Sequence, residues 1–244
     1  MRIVAIIEAR MASSRLPGKV LLEVNGKPIL DYLIARLRAV PSINDIVLAT
    51  TINSSDDRLV NFAMKNSIKH FRGSEEDVME RVIGAAEFAK ADIIVEITGD
   101  CPIIDPGIVE QAIQFYLQND ADYVGNAHIR TYPDGMDVQV FALDVLKLSA
   151  SMTSEPLDRE HVSLHIRNHP EIFQTINLIA PSNLFWPELG LTLDTKEDYF
   201  LIKNIIEIFS SKTSDFTCLD VINLLKNRPD LVDINKKIAR KGYS

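Results

Sequence analysis

Three cations, Arg10, Arg15 and Lys19, follow one another at intervals of five and four residues in Glu8-Ala9-Arg10-Met11-Ala12-Ser13-Ser14-Arg15-Leu16-Pro17-Gly18-Lys19. The segment leaves an unbroken apolar run at residues 3–7 and is otherwise rich in small side chains. Such a loop lets backbone N–H groups and cationic side chains surround a polyphosphate. Neither GxxxxGKS/T nor GxGxxG occurs, so it is not a P-loop and not a dinucleotide fingerprint. Two carboxylates occupy comparable positions further on. Asp100, in Thr98-Gly99-Asp100-Cys101-Pro102, and Asp194, in Leu191-Thr192-Leu193-Asp194-Thr195-Lys196, each end a short apolar run. Facing one crevice, the pair could share a Mg2+ ion through hard oxygen donors. A turn at Gly99-Asp100 and a helix N-cap at Asp194 are the competing assignments.

Other candidates carry less chemistry. Cys101 reads as a small residue suited to a tight loop, because no step requires a covalent intermediate. His161, His165 and His169 recur every four residues. A metal stripe there would need a further carboxylate or thiolate that nothing marks, and a partly exposed helix edge is the simpler reading. Trp186, between Phe185 and Pro187, reads as a core or dimer-contact aromatic. Lys236, Lys237, Arg240 and Lys241 read as a solvated basic terminus.

These side chains need a frame to hold them. Residues 3–7, 45–50, 68–71 and 92–98 are short apolar runs of the kind found in buried parallel strands. Between them lie helical periods. Pro28 suits the first turn of a helix through residue 39, with Ile29, Leu33, Ile34 and Leu37 on one face. Ser55 would cap a helix holding Leu59, Phe62 and Ala63, residues 75–89 form the next, and Asp105 with Pro106 opens another through residue 117. The alternation predicts an α/β fold, a doubly wound, mostly parallel sheet with right-handed crossovers. Ligands in such sheets sit beyond the carboxyl ends of the strands, so the loops at 9–18, 51–55, 72–77 and 99–105 should share one face. Beyond residue 120 the pattern loosens. Strands are expected at 123–126 and 136–141 around the turn Tyr132-Pro133-Asp134-Gly135, a helix at 157–168 and a strand at 173–179. Helices follow at 195–209 and 216–226, the last broken by Asn227 to Pro229.

The 244 residues hold 34 acidic and 26 basic side chains, a net charge of -8, which argues against a nucleic-acid polymer or an anionic membrane as the main partner. The charge is uneven: residues 1–40 contain seven basic residues and three acidic ones, which leaves the remainder at -12. A local anion site near the N-terminus accounts for that asymmetry. The two cysteines, Cys101 and Cys218, lack any CxxC spacing, and a reduced cytosolic chain is the expected state. The apolar run at 3–7 is too short for a signal peptide, and no stretch of about 18 apolar residues suggests a membrane span, so the cytoplasm is the expected compartment.

Six segments, ARMASSRLPGK at 9–19, FRGSEEDVMER at 71–81, ITGDCPIID at 97–105, YPDGMDVQVF at 132–141, DREHV at 158–162 and LTLDTKEDY at 191–199, together make the chain resemble the sugar-activating cytidylyltransferases. Within them it is similar to the spore coat polysaccharide biosynthesis protein F type, related to the acylneuraminate and 3-deoxy-manno-octulosonate enzymes. The resemblance implies a Rossmann-like, nucleotide-diphospho-sugar transferase fold, CTP as substrate, Mg2+ as cofactor and a homodimer. Carried over by position, Arg10, Arg15 and Lys19 match the cations that bind the triphosphate, and Ala9 and Met11 would offer backbone groups to the nucleotide. Ser74 falls where the family contacts the cytosine ring, with Arg81 near it, and Asp100 and Asp194 match the pair that holds Mg2+. Thr98 departs from the pattern, standing where the sialic and octulosonic acid enzymes often have Gln.

This resemblance divides a single domain, residues 1–244, into a nucleotide-binding half at 1–120, an inserted acceptor-sugar and dimerisation lobe at 121–190, and a metal-ligand strand with C-terminal helices at 191–244. In the middle portion Asn126, His128, Tyr132, Asp134 and Asp137 could hydrogen-bond a polyhydroxylated sugar, although Gly135 and Asp134 also suit the turn. Arg159, beside His161, could meet a sugar carboxylate or pair with Glu155 four residues before it. The expected reaction is in-line attack by a sugar hydroxyl, or a sugar phosphate oxygen, on the α-phosphorus of CTP with loss of pyrophosphate, governed by positioning and charge. The alternatives are a nucleotidyltransferase using a sugar phosphate or another NTP, and a nucleotide-binding homologue without turnover. A glycosyltransferase would favour a DxD motif, which is absent after the fourth strand.

Overall fold

In the computed structural model, which describes residues 1–210 and 215–239, the apolar runs assemble into one seven-stranded sheet. Strands β1 (Ile3–Glu8), β4 (Asp45–Thr51), β5 (Lys69–Gly73) and β6 (Ile93–Thr98) are mutually parallel in the order β5-β4-β1-β6. A small hairpin, β2 (Glu23–Val24) with β3 (Lys27–Pro28), stands outside it. The sheet continues through β8 (Gln139–Ala142), β7 (Tyr123–Gly125) and β9 (Thr175–Asn177), and β8 alone runs against the other six strands. Residues 121–190 thus extend the same sheet that the first half builds.

Alternation along the strands divides the core in two. Ile3, Ala5 and Ile7 face one cluster with Val95 and Ile97, while Val4, Ile6 and Ile94 face the other. The first face is covered by α1 (Ile29–Arg38), α2 (Asp57–Lys65), α4 (Pro106–Gln118), α8 (Lys196–Ser210) and α9 (Cys218–Asn227), the second by α3 (Val78–Ala89), α5 (Leu143–Met152) and α7 (Leu164–Asn168). Burial on both sides explains why these strands read as unbroken apolar runs. Each fully buried aliphatic side chain contributes about 1.5–3 kcal/mol.

Several expectations need correction in detail. The α2 cap is not Ser55; a 3-10 turn at Ser54–Asp56 leads into the helix, and Asp56 is buried. The helix expected at 157–168 breaks into α6 (Pro156–Glu160) and α7, because Val162 adopts φ +45° between them. Helix α5 was not anticipated, and neither was α10 (Pro229–Val232). Lys236 and Lys237 are exposed, while Arg240 and Lys241 lie outside the described residues. Among the described residues no helix is long and apolar enough to cross a membrane.

Candidate active site

The chain runs outward from β1 to β4 and β5, then crosses back to β6 on the other side of β1. That reversal opens a crevice at the carboxyl ends of β1 and β6. A cleft of about 310 Å3 lies there, lined by residues of the 8–20 loop, by Thr98, Gly99 and Asp100 after β6, by Arg81 of α3, by Glu160 and His161 at the end of α6, and by Asp194. Gly99 lets the two strand ends approach: a Cβ on it would lie 2.9 Å from the Glu8 carbonyl oxygen. The cation loop folds back on Met11, whose carbonyl accepts from Ser13 and Gly18, with Gly18 at φ +70°. The Met11 N–H donates to buried Asp56 at 2.7 Å, and Asp56 also accepts from the hydroxyls of Thr50 and Thr51. Met11 therefore anchors the loop and has no backbone group left for a nucleotide. Ala9 lines the cleft.

Each of the three cations meets a carboxylate. Lys19 Nζ donates to Asp100 Oδ2 at 2.7 Å and to Asp194 Oδ1 at 2.8 Å, so one ammonium stands between the two candidate metal ligands. Arg15 pairs with the other oxygen of Asp194 at 2.8 Å, and Arg10, at the exposed mouth, pairs with Glu75 at 3.3 Å. Burial works against the charges of Asp100 and Lys19, but their mutual attraction prevails: Asp100 is held below the ordinary carboxylate range, and Lys19 above the ordinary ammonium range with help from Asp194. Asp194 is not spent as a helix cap. Asp198, fully buried, accepts from the backbone N–H groups of Asp194 and Thr195 and leaves the Asp194 side chain to the cleft. The Leu193 N–H donates to the Asp100 carbonyl at 2.8 Å, which fixes the two carboxylates side by side.

The remaining candidates disperse. Ser74 does not line the cleft; its hydroxyl accepts from the Asp77 N–H at the start of α3, and its carbonyl accepts from Arg81. Arg81 is buried and does reach the cleft. Asn126 is buried with both ends of its amide committed, donating to the Met136 carbonyl and accepting from the Val138 N–H. It pins the 126–138 turn and does not present itself to a sugar. Asp137 faces Arg130 at 3.4 Å, away from the cleft lining, and burial beside Asp134 raises its carboxyl to about 6, against the pull of Arg130. Arg159 pairs neither with Glu155 nor with the cleft: it donates twice to Asp77, at 2.5 and 2.9 Å, and so ties α6 to the start of α3. His161 is exposed on the cleft wall, whereas His165 turns to Asp158 at 3.3 Å and His169 to Glu171 at 2.7 Å, the rings of these last two lying 4.2 Å apart. Cys101 and Cys218 are buried free thiols pushed up by burial, Cys218 to about 12.

Sequence reasoning passed over Glu8 and Glu96. They occupy the second face of β1 and β6 under the cleft, and burial raises both carboxyls, Glu8 to about 7 and Glu96 well above the carboxylate range. The signal was available, since an acid inside Ile93-Ile94-Val95-Glu96-Ile97 is a charge in a strand buried on both sides.

Comparison with known proteins shows the family and the fold. A family model described as Cytidylyltransferase matches residues 4–231. The chain is 36% identical to the spore coat polysaccharide biosynthesis protein SpsF of Bacillus subtilis, over 93% of this chain and 95% of that protein. It is 32% identical to a 3-deoxy-manno-octulosonate cytidylyltransferase of Geobacter sulfurreducens over 57% of this chain and 56% of the relative. A solved structure of a cytidylyltransferase from Leptospira borgpetersenii superposes with a TM-score of 0.91 at 33% identity, covering 98% of this chain and all of the other.

Proposed function

The chain belongs to the cytidylyltransferase family and is a CTP-dependent nucleotidyltransferase, and from that premise we propose that it transfers CMP from CTP to a hydroxyl of an acidic octulosonic or nonulosonic sugar, releasing pyrophosphate for the synthesis of a surface polysaccharide or glycoconjugate. The observation that carries this reading is the meeting of three loop cations with Asp100, after β6, and Asp194, before α8, in one cleft at the switch point of the sheet.

Arg10, Arg15 and Lys19 exchange their carboxylate partners for phosphate oxygens when the triphosphate enters. Arg10 and Arg15 present planar forks to phosphate, and Lys19 places a point charge beside the leaving pyrophosphate. Asp100 and Asp194 suit Mg2+, since their oxygens converge on one cation already, the Lys19 ammonium, and a hard ion takes carboxylates together with substrate phosphates. Bound there, the ion would neutralise charge on the phosphate oxygens. In-line attack by the sugar hydroxyl on the α-phosphorus forms the new O–P bond as the α–β bridge breaks. The chain's own work is orientation and charge stabilisation. A homodimer belongs to this reading, and the edge strand β9, with Ile129, Ile179 and Phe185 exposed, is the face a second copy would cover.

The test is pyrophosphate release from each of the four NTPs with Mg2+, using 3-deoxy-manno-octulosonate, N-acetylneuraminate and sugar phosphates as acceptors. Release with CTP and an ulosonic acid supports the reading, and Arg10→Ala should lower it about 10²–10³-fold. Release confined to sugar phosphates, or to another NTP, contradicts it.

A further inference from the structure

Asp194 reaches the cleft from a segment without regular structure: residues 191–195 form neither strand nor helix. No ladder aims its side chain, so its direction depends on the bonds that fasten the segment. They come from three directions. The Leu193 N–H donates to the Asp100 carbonyl at 2.8 Å. Behind it, Thr195 and Asp198 form a reciprocal box at the start of α8: the Asp198 N–H donates to Thr195 Oγ1 at 3.3 Å, and Asp198 Oδ2 accepts from the Thr195 N–H at 2.8 Å. The same Oδ2 accepts from the Asp194 N–H at 3.1 Å. The third comes from beyond α10. Asn235, 4% exposed, donates through Nδ2 to Asp198 Oδ1 at 2.8 Å and to the Gly190 carbonyl at 2.9 Å. One amide thus holds both the entry to the Asp194 segment and the carboxylate at its exit. Asn235 is itself held in place, because Leu231 of α10 is buried in the core and its carbonyl accepts from the Ile234 N–H.

We propose that Asn235 is a positioning residue for Mg2+, acting through Asp198 to keep the Asp194 carboxylate aimed at the cleft. This inference rests on the reading of Asp100 and Asp194 as the ligands of that ion, and deepens it by naming what holds one of them. The competing conformation is a natural one. Aspartate is a favoured cap of a helix N-terminus, and the N–H groups at the start of α8 lie next to Asp194 in sequence. Asp198 takes the Asp194 and Thr195 N–H groups, which leaves both Asp194 oxygens to the cleft, where Lys19 and Arg15 hold them. A fully buried carboxylate keeps one orientation when both of its oxygens meet donors, and Asn235 supplies a donor to Oδ1. Groups that orient a metal ligand without touching the ion commonly set its affinity.

The experiment measures Mn2+, a paramagnetic stand-in for Mg2+, bound in the presence of CTP and without acceptor. Electron paramagnetic resonance reads it in wild type, Asn235→Ala, Asn235→Ser and Val221→Ala, beside the Tm of each. Wild type should hold Mn2+ more tightly than CTP alone does. Asn235→Ala should weaken that binding about 10–100-fold. Asn235→Ser, too short to span both partners, should weaken it in the same direction, and it remains readable if the alanine variant does not fold. Val221→Ala deletes buried methyl groups of α9 outside this set of bonds, so it should lower Tm and leave Mn2+ binding as in wild type. Asn235 variants that bind Mn2+ like wild type overturn this inference alone. Equal weakening in Val221→Ala overturns it too, because the effect is then a loss of stability. Wild type that holds Mn2+ no better than CTP alone overturns the reading of Asp100 and Asp194 as metal ligands, and this inference with it.

Discussion

Replacing Lys19 by Met removes the ammonium that holds Asp100 and Asp194 together while keeping most of the side-chain volume. Two charge-assisted hydrogen bonds of 2.7 and 2.8 Å disappear from side chains that are 12% (Lys19), 24% (Asp100) and 18% (Asp194) exposed. Such bonds stabilise by about 1.5–3 kcal/mol each when buried, and partial exposure brings the pair to about 3 kcal/mol together. Arg15 still neutralises Asp194, so the unpaired burden falls on Asp100. For a chain of this size the loss corresponds to a fall in Tm of about 6–12 °C. Because the carboxylates then face each other unbridged, a divalent cation should restore part of the loss in the variant and do less for wild type, where the ammonium competes. The assay is calorimetric or fluorescence melting of both proteins with and without 5–10 mM (about that range) MgCl2, without nucleotide. Equal Tm values in the absence of metal, or equal Mg2+ shifts in both proteins, would refute the idea that Lys19 occupies the cation position between these acids.

Three further outcomes follow from particular side chains. Asn126→Ala should destabilise by about 2–4 kcal/mol in urea unfolding, by stranding the Met136 carbonyl and the Val138 N–H, with the KM for the sugar little changed in the folded fraction. Asp137 keeps its proton to about 6 in the folded state and releases it near the ordinary carboxylate value when unfolded; the native form therefore binds more protons between about pH 4 and 6, and this group makes stability fall as pH rises through that window. Asp137→Asn should flatten that slope in a Tm-versus-pH series. Cys101 and Cys218 should resist a thiol reagent at pH 8 (about that value) in the native protein and react fully in denaturant, both being buried and raised in pKa.

The parallel half of the sheet was legible because strands buried on both faces must be continuously apolar, and residues 3–7 and 92–98 carry that signature openly. The cation loop and Asp100 were legible for a related reason: the topology sends the loops after the parallel strands to one face, so both reach one cleft; the strand expected before Asp194 is not formed, and the Leu193 N–H on the Asp100 carbonyl holds that segment in place instead. Helix α5 was not legible. Its first residue, Leu143, follows β8 without a glycine, proline or side-chain cap to mark the change. The break at His161 and Val162 sets a β-branched residue at positive φ, against local preference, and only the packing of α6 and α7 imposes it. The partners of single polar residues were beyond reach for the same reason. Nothing in the sequence separates an Arg159 that meets a ligand from one that meets Asp77, or an Asn126 in a pocket from one that pins a turn. Lys19 was read as a phosphate ligand, and its place between Asp100 and Asp194 emerged only when three distant segments met.

The central claim is that CMP passes from CTP to a sugar hydroxyl, and the phosphorus content of the product tests it most directly. Phosphorus NMR of the purified product formed from CTP, Mg2+ and an ulosonic acid should show one phosphodiester resonance, with free pyrophosphate released alongside it. A product with two coupled phosphorus resonances, as a sugar phosphate acceptor would give, would contradict the account.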